Sequence, residues 1–424
     1  MFYKLILFFL LLSVSLFGRQ YTLEECLSSA VLNSGYTKQE LNYNKISEIE
    51  LNELFSNYYP QFNIDAQATY QSDVFALPIK LPTLTIPSLR QDQYNINLNL
   101  QQLIYDGGTI SESEKLSKLS AEANKENSKI KIRNIIEQVG ALYYSALRVK
   151  MTMESIKSTI TTLEINRKQI SSLVGNGVLV RSNIDAVEIQ ISSKKQLLQS
   201  MNDDYKSLIK SINSIAMLEN FTDVILSEIP EKSANDYTIN RSEINSFDVY
   251  SDINKQKIST SKTQNMPKLS AFAKFGFGNP NQFNMFEQEW SEYYIVGLKM
   301  IWKPFDWFSS DRNSEIAEMQ NQNLQIEKTE FMKQLNIQLD KENSELEKVK
   351  TMLEQDKTIF DLQMKIMMDK LTQVLGGTAT ISEYINEVNS LLQYEINMNL
   401  HKIMLENAKS NILIKSGNYK VISK

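Results

Sequence analysis

The stretch "YNINLNL", Tyr94–Leu100, alternates an apolar or aromatic residue with asparagine without a miss. A period of two places Tyr94, Ile96, Leu98 and Leu100 on one face of an extended strand and Asn95, Asn97 and Asn99 on the other. Asparagine is a poor strand former, so its use at every second place marks a wet face opposite a dry one. Three further runs carry the same signature. In "FNIDAQATY", Phe62, Ile64, Ala66, Ala68 and Tyr70 oppose Asn63, Asp65, Gln67 and Thr69. "KLSAFAKFGFG" gathers Leu269, Ala271, Ala273, Phe275 and Phe277, and "YIVGLKMIW" gathers Tyr294, Val296, Leu298, Met300 and Trp302. The spacing predicts strands near 62–70, 94–104, 268–278 and 293–302. Each has about the length of a transmembrane β-strand. Tyr58, Tyr59, Tyr105, Trp290, Tyr293, Trp302 and Trp307 cluster at the strand ends, where an interfacial girdle would sit. A soluble sheet half-buried on one face alternates too. Shared length, aromatic ends and the leader described below favour a bilayer.

Outward from these strands the chain reads as helix. All eight prolines lie between Tyr59 and Phe305, none of them between Ser88 and Ile229. From Thr109 to Val174 the only glycine is Gly140, and from Ser309 to Leu375 there is none. Both runs are rich in Lys, Glu, Gln, Leu, Ile and Ala, which favour helix; at 1.5 Å per residue each helix is about 100 Å long. Ile156, Ile160, Leu163, Ile170 and Val174 follow four-three steps, broken once at Arg167, and mark a coiled-coil seam. Return helices are expected over about 182–217 and 382–416, and helices before the strands over about 22–57 and 242–265.

The chain of 424 residues opens with "MFYKLILFFLLLSVSLFGRQ", in which Lys4 precedes a short apolar core. That core is too short to span a bilayer as a helix and suits a signal peptide over 1–18. Its removal takes the formal charge from -5 to -6, which offers nucleic acid no electrostatic footprint. With one cysteine, Cys26, and one histidine, His401, the chain lacks the parts of a Cys/His metal cluster, a Cys–His pair or a Ser–His triad. It carries no phosphate-binding or dinucleotide fingerprint. No cofactor is expected, and the usual enzyme chemistries lack their residues.

The chain also matches itself. At a shift of 200 residues Tyr94 falls on Tyr294, Asp106 on Asp306, Lys150 on Lys350, Gly177 on Gly377 and Ser182 on Ser382. The earlier strands match at a shift of 207, where Pro60 meets Pro267; the difference lies in the loops that join the strands. The predicted organisation is therefore two repeats, 19–230 and 231–424. Each holds a helix, two strands, a long helix, a glycine turn (175–182 and 376–382) and a return helix. Four strands are too few for a membrane barrel, whose minimum is about eight, and an open edge in lipid leaves amides unpaired. The barrel must be shared between copies, with Asn95, Asn97 and Asn99 lining a watery lumen.

On these residues the sequence resembles the TolC family of outer-membrane efflux and secretion channels. The resemblance runs through "YTLEECLSSAVLNS" (21–34), "YYPQFNIDAQATY" (58–70), "LNLQQLIYDGG" (98–108), "GNGVLVRSNIDAVEIQ" (175–190) and "GGTATISEYINEVNSLL" (376–392). It implies a homotrimer sharing a twelve-stranded outer-membrane barrel and a helical tunnel through the periplasm. It further implies work with a periplasmic adaptor and an inner-membrane transporter. Where family members have a glycine pair after the aspartate, this chain has Gly107 and Gly108 after Asp106 but Trp307 and Phe308 after Asp306. The family's acidic constriction falls on Glu383 and Asn386, with Glu387 one helical turn past Glu383. "TISE" also reads as a capping box with Thr380 at the N-cap. The family's basic latch position is Ala379 here, and an arginine stands in the first repeat instead, Arg181. The adaptor would meet the tips: Gly177, Val178, Arg181 and Ser182 in the first repeat, Gly377, Thr378 and Ser382 in the second. Against this conduit stand two other readings, a periplasmic coiled-coil scaffold or adaptor and an oligomeric surface stalk.

Overall fold

The computed structural model describes residues 19–75, 89–230, 237–285 and 289–419. The expected leader, 1–18, and Pro78, Pro82 and Pro87 lie outside the described residues. Elements follow in the order β1 (Arg19–Tyr21), α1 (Leu23–Leu32), α2 (Gly35–Ser56), β2 (Gln61–Tyr70) and β3 (Asp92–Tyr105). Then come α3 (Thr109–Gly175), α4 (Ser182–Ala216), β4 (Phe221–Val224), α5 (Ser242–Thr263) and β5 (Lys268–Asn279). The last are β6 (Ser291–Ile301), α6 (Ser309–Leu375) and α7 (Ile381–Ser416). Both long helices have 67 residues. The chain divides into two compact units, one made of Leu41–Lys125 and Ser246–Glu327, the other of Met1–Glu40, Glu126–Asn245 and Lys328–Lys424.

The first unit holds a four-stranded antiparallel sheet in the order β2-β3-β5-β6. The turn from β3 into α3 is made by Gly107 and Gly108, with φ of 74° and 86°. A Cβ on Gly107 would meet Met266 at 2.7 Å, so glycine is needed there for conformation and for space. The Asp106 carboxylate caps α3, accepting from Gly108 N at 2.9 Å and Ile110 N at 2.5 Å. The turn from β6 into α6 is made without glycine. Trp307 and Phe308 hold φ of 55° and 60°, a conformation costing roughly 1–2 kcal/mol per L-residue. Asp306 again caps, accepting from Ser310 N at 2.9 Å. Phe305 meets Trp307 and Phe308 edge-on at 4.9 and 5.7 Å, and both of those rings stay exposed.

The second unit is helical and has two main cores. One gathers Cys26, Leu27, Val139, Tyr143, Leu147, Ile212 and Ala216. Burial pushes the Cys26 thiol up to about 12, so it stays an inert thiol. The other core contains the predicted seam: Ile156, Ile160, Leu163 and Ile170 are buried and Val174 packs at its margin. Arg167, where the seam breaks, faces out and pairs with Glu188 at 2.5 Å.

Two expectations need correction. The helix expected over 22–57 is two helices, α1 ending at its C-cap Asn33 and α2 starting at Gly35. Asn, Ser and Gly in succession are weak helix formers whose side chains compete for backbone groups. Here the Ser34 hydroxyl accepts from Tyr36 N at 3.1 Å, and Asn33 Nδ2 donates to Ala216 O at 2.8 Å. The second correction is an addition: β1 pairs in parallel with β4, joining residues some 200 positions apart.

Candidate functional site

Strand register decides what the sheet can do. Ile64 faces Leu98, Leu98 faces Phe275 and Phe275 faces Tyr294. The next row of that face is Phe62, Leu100, Ala273 and Val296. All four predicted apolar rows thus lie on one face of one sheet. That face is bare: Ile64 is 75% exposed, Tyr294 75%, Val296 69% and Leu298 69%. Trp290 closes one end, stacked on Phe277 at 5.3 Å and on Tyr94 at 6.0 Å.

The opposite face carries Asn63, Asp65, Gln67 and Thr69 beside Asn95, Asn97 and Asn99. These asparagines form a polar network. Asn97 Nδ2 donates to Asp65 Oδ2 at 2.7 Å and to Asn95 Oδ1 at 3.1 Å, and Asn99 donates to Asp65 Oδ1. Tyr293 Oη donates to Asn97 Oδ1 at 2.6 Å. The sequence reading placed Tyr293 in the girdle; the register puts its side chain on the polar face instead. Of the four strands, β2 and β6 each have one partner among the described residues. No described helix is long and apolar enough to cross a membrane.

The hairpin turns are built alike. After α3, Gly177 N donates to Val174 O at 3.0 Å and Val178 N to Leu173 O at 2.9 Å. After α6, Gly377 N donates to Val374 O at 3.0 Å and Thr378 N to Gln373 O at 2.9 Å. Both are Schellman turns with glycine in the left-handed region, φ 77° and 72°. Val178, Arg181, Ser182, Thr378 and Ser382 are all exposed around them.

Thr380 is the N-cap of α7, its hydroxyl accepting from Glu383 N at 3.3 Å. The Glu383 carboxylate does not return to the cap. It pairs with Lys370 Nζ at 3.1 Å and remains half exposed. Glu387 accepts from Gln363 Nε2 at 2.7 Å, while Asn386 is exposed. The sequence reading missed Lys370 and Gln363, and also a buried link between the hairpins. Asn166 Nδ2 on α3 donates to Tyr384 Oη on α7, with Tyr384 fully buried and Asn166 4% exposed. Burial pushes the Tyr384 phenol up to about 12, against the opposing pull of the Asn166 hydrogen bond.

A bare four-stranded antiparallel sheet with two open edges, joined in sequence to two pairs of long helices, is the fold of TolC-like outer-membrane channels. The outer membrane protein VceC from Vibrio cholerae is similar over 93% of this chain and 96% of its own, with TM-score 0.69 and 11% identity. CusC, a transmembrane channel, is similar over 94% and 93%, with TM-score 0.72 and 10% identity. The Campylobacter jejuni outer membrane channel CmeC is similar over 95% and 87%, with TM-score 0.67 and 13% identity. No protein-family model and no curated protein sequence matches the chain.

Proposed function

We propose that this chain is the outer-membrane channel of a tripartite efflux or type I secretion system, a passive exit duct in the outer membrane and periplasm. The observation that carries the proposal is the bare apolar face on a sheet with unpaired edges. β2 and β6 have ten and eleven residues; tilted as in known barrels they give a band about 25 Å tall. Roughly half their amides point away from any partner, and each costs several kcal/mol in hydrocarbon, so an open sheet in lipid loses on the order of tens of kcal/mol. Closure removes that loss. β2 and β6 run in opposite directions, so β6 of one copy meets β2 of the next in antiparallel register and copies add four strands at a time. Three copies give the twelve-stranded homotrimer that the resemblance implies.

In this reading the chain is a duplication of 19–230 and 231–424. The apolar face meets outer-membrane lipid and Asn95, Asn97 and Asn99 line the lumen. Glu383, Asn386 and Glu387 line the constriction, where repeated carboxylates around an axis favour cations. The turns at Gly177–Ser182 and Gly377–Ser382 meet a periplasmic adaptor, which joins the channel to an inner-membrane transporter. The duct does no chemistry of its own, and the transporter supplies the energy. A scaffold or stalk has no use for lipid-facing Tyr, Ile and Leu rows.

The test is fractionation followed by reconstitution. Heat-modifiable, detergent-requiring oligomers in the outer-membrane fraction that insert conductance into planar bilayers are expected. A water-soluble monomer without conductance overturns the proposal. Crosslinks from Val178→Cys or Thr378→Cys to an adaptor in a working pump test the docking assignment, and no adduct at either site removes it.

A further inference from the structure

Two glycines of the sheet lie directly opposite aromatic residues. Gly276 on β5 pairs with Tyr293 on β6, and Gly297 on β6 pairs with Phe272 on β5. All four belong to the polar face. A strand side chain ordinarily stands roughly perpendicular to its sheet. Tyr293 instead lies down across β5. A Cβ added to Gly276 would sit 2.2 Å from Tyr293 Cζ and 2.5 Å from its Oη. The ring occupies the place of the missing side chain and reaches past β5 to Asn97 on β3, its hydroxyl donating to Asn97 Oδ1 at 2.6 Å. Neighbouring strands are about 4.8 Å apart, so the ring, its hydrogen bond and the Asn97 side chain together bridge two strand spacings along the wall. Phe272 leans the opposite way, its ring 3.0 Å from where a Gly297 Cβ would be.

We infer that Gly276 and Gly297 set the clearance of the lumen by letting Tyr293 and Phe272 lie flat against its wall, which makes the two pairs size-selecting residues of the duct. This inference rests on the channel reading above. Glycine inside a strand forfeits side-chain packing and marks a close approach, and here the approaching group is the ring itself. Asp65, Asn97, Gly276 and Tyr293 are successive cross-strand partners, so one row of the sheet anchors the folded ring by hydrogen bonds from end to end. Any side chain at 276 displaces that ring, which is 6% exposed and covered by Phe283, edge-on at 5.5 Å, and by Lys274, whose Nζ lies 5.9 Å from its centre; with the β5 backbone behind it, the displaced ring pushes this cover away from the wall. In a closed assembly each copy would then raise one tyrosine into the bore.

Reconstituted full-length channels inserted from one chamber are compared as wild type, Gly276→Ala, Tyr293→Ala and the double variant. Poly(ethylene glycol) of graded size is added only on the barrel side. The largest polymer that still enters and lowers conductance reads the local bore, whatever the resistance elsewhere. Gly276→Ala is expected to exclude a polymer that wild type admits, and Tyr293→Ala and the double variant to admit at least as large a polymer as wild type. A conducting Gly276→Ala channel with the wild-type cut-off overturns the inference. If Gly276→Ala does not assemble, Gly297→Ala, with and without Phe272→Ala, is read in the same way; failure of both glycine variants to assemble overturns it too, because the glycines then serve assembly alone. Absence of conductance from wild type would instead overturn the channel proposal.

Discussion

Removing one hydroxyl at Tyr384 tests how the two hairpins are held together. The phenol is fully buried, and it accepts the only side-chain hydrogen bond found among the described residues for the Asn166 amide, which is itself 96% hidden. Tyr384→Phe keeps the ring in its core of Val187, Ile191, Ile381 and Val388 and leaves a buried amide with no acceptor. Such an orphan costs about 1–3 kcal/mol. Replacing both partners, Asn166→Leu with Tyr384→Phe, removes the unpaired group and is nearly neutral by the same argument. The coupling between the positions is therefore at least about 1–3 kcal/mol. Amide hydrogen exchange in the tip halves of α3 and α7 reads this as local opening. Each 1.4 kcal/mol is tenfold, so the single variant speeds exchange there by roughly 5- to 150-fold. The double variant returns within a few-fold of wild type. Exchange in Tyr384→Phe within twofold of wild type, or a double variant as fast as the single, refutes the reasoning.

Three further outcomes are expected. Glu383→Gln changes cation block and ion selectivity of the reconstituted channel, and because the α7 cap uses the residue's backbone N–H, the helix start survives; unchanged block and selectivity remove the gate assignment. Thermal stability in detergent falls as pH rises from 10 towards 12. Burial raises the phenols of Tyr384 and Tyr419 to about 12 and those of Tyr143, Tyr144 and Tyr205 further still. Unfolded tyrosine ionises near 10, so above that pH the unfolded chain holds fewer protons than the folded one and stability drops, whereas an unchanged melting temperature up to pH 12 contradicts this. Glu406→Leu strands the buried Lys409, which pairs with Glu406 at 2.7 Å, and frees Ile229 N, which donates to the same carboxylate at 2.6 Å. It destabilises by about 3–5 kcal/mol, and Glu406→Leu/Lys409→Met recovers most of that, as melting in detergent would report.

Much of the fold is legible in the sequence because its signals are periodic. Alternation in Tyr94–Leu100 and its three companions needs no partner to be read, and the structure stacks all four apolar rows on one face. The long helices announce themselves by what they exclude, and Gly177 and Gly377 by the turn they permit. What stays hidden depends on distant partners. The pairing of β1 with β4 and the bond from Asn166 to Tyr384 join residues 200 or more positions apart with no local pattern. Trp307 and Phe308 read as aromatics that resist a glycine turn, yet the backbone keeps that turn despite the strain. Glu383 reads as half of a capping box, and only the neighbouring helix shows that Lys370 takes its carboxylate. The glycines of "KFGFG" did carry a signal, since glycine within a strand implies close approach, but not which ring approaches.

The central claim is that β6 of one copy pairs with β2 of the next. Its most direct test is amide hydrogen exchange of β2 and β6 in the detergent-solubilised assembly, compared with β3 and β5 in the same sample. The account predicts that the outward amides of Gln61–Tyr70 and Ser291–Ile301 exchange as slowly as those inside the sheet, since closure leaves no edge. Fast exchange of every second amide along both strands, at the rate of unpaired backbone, would contradict it.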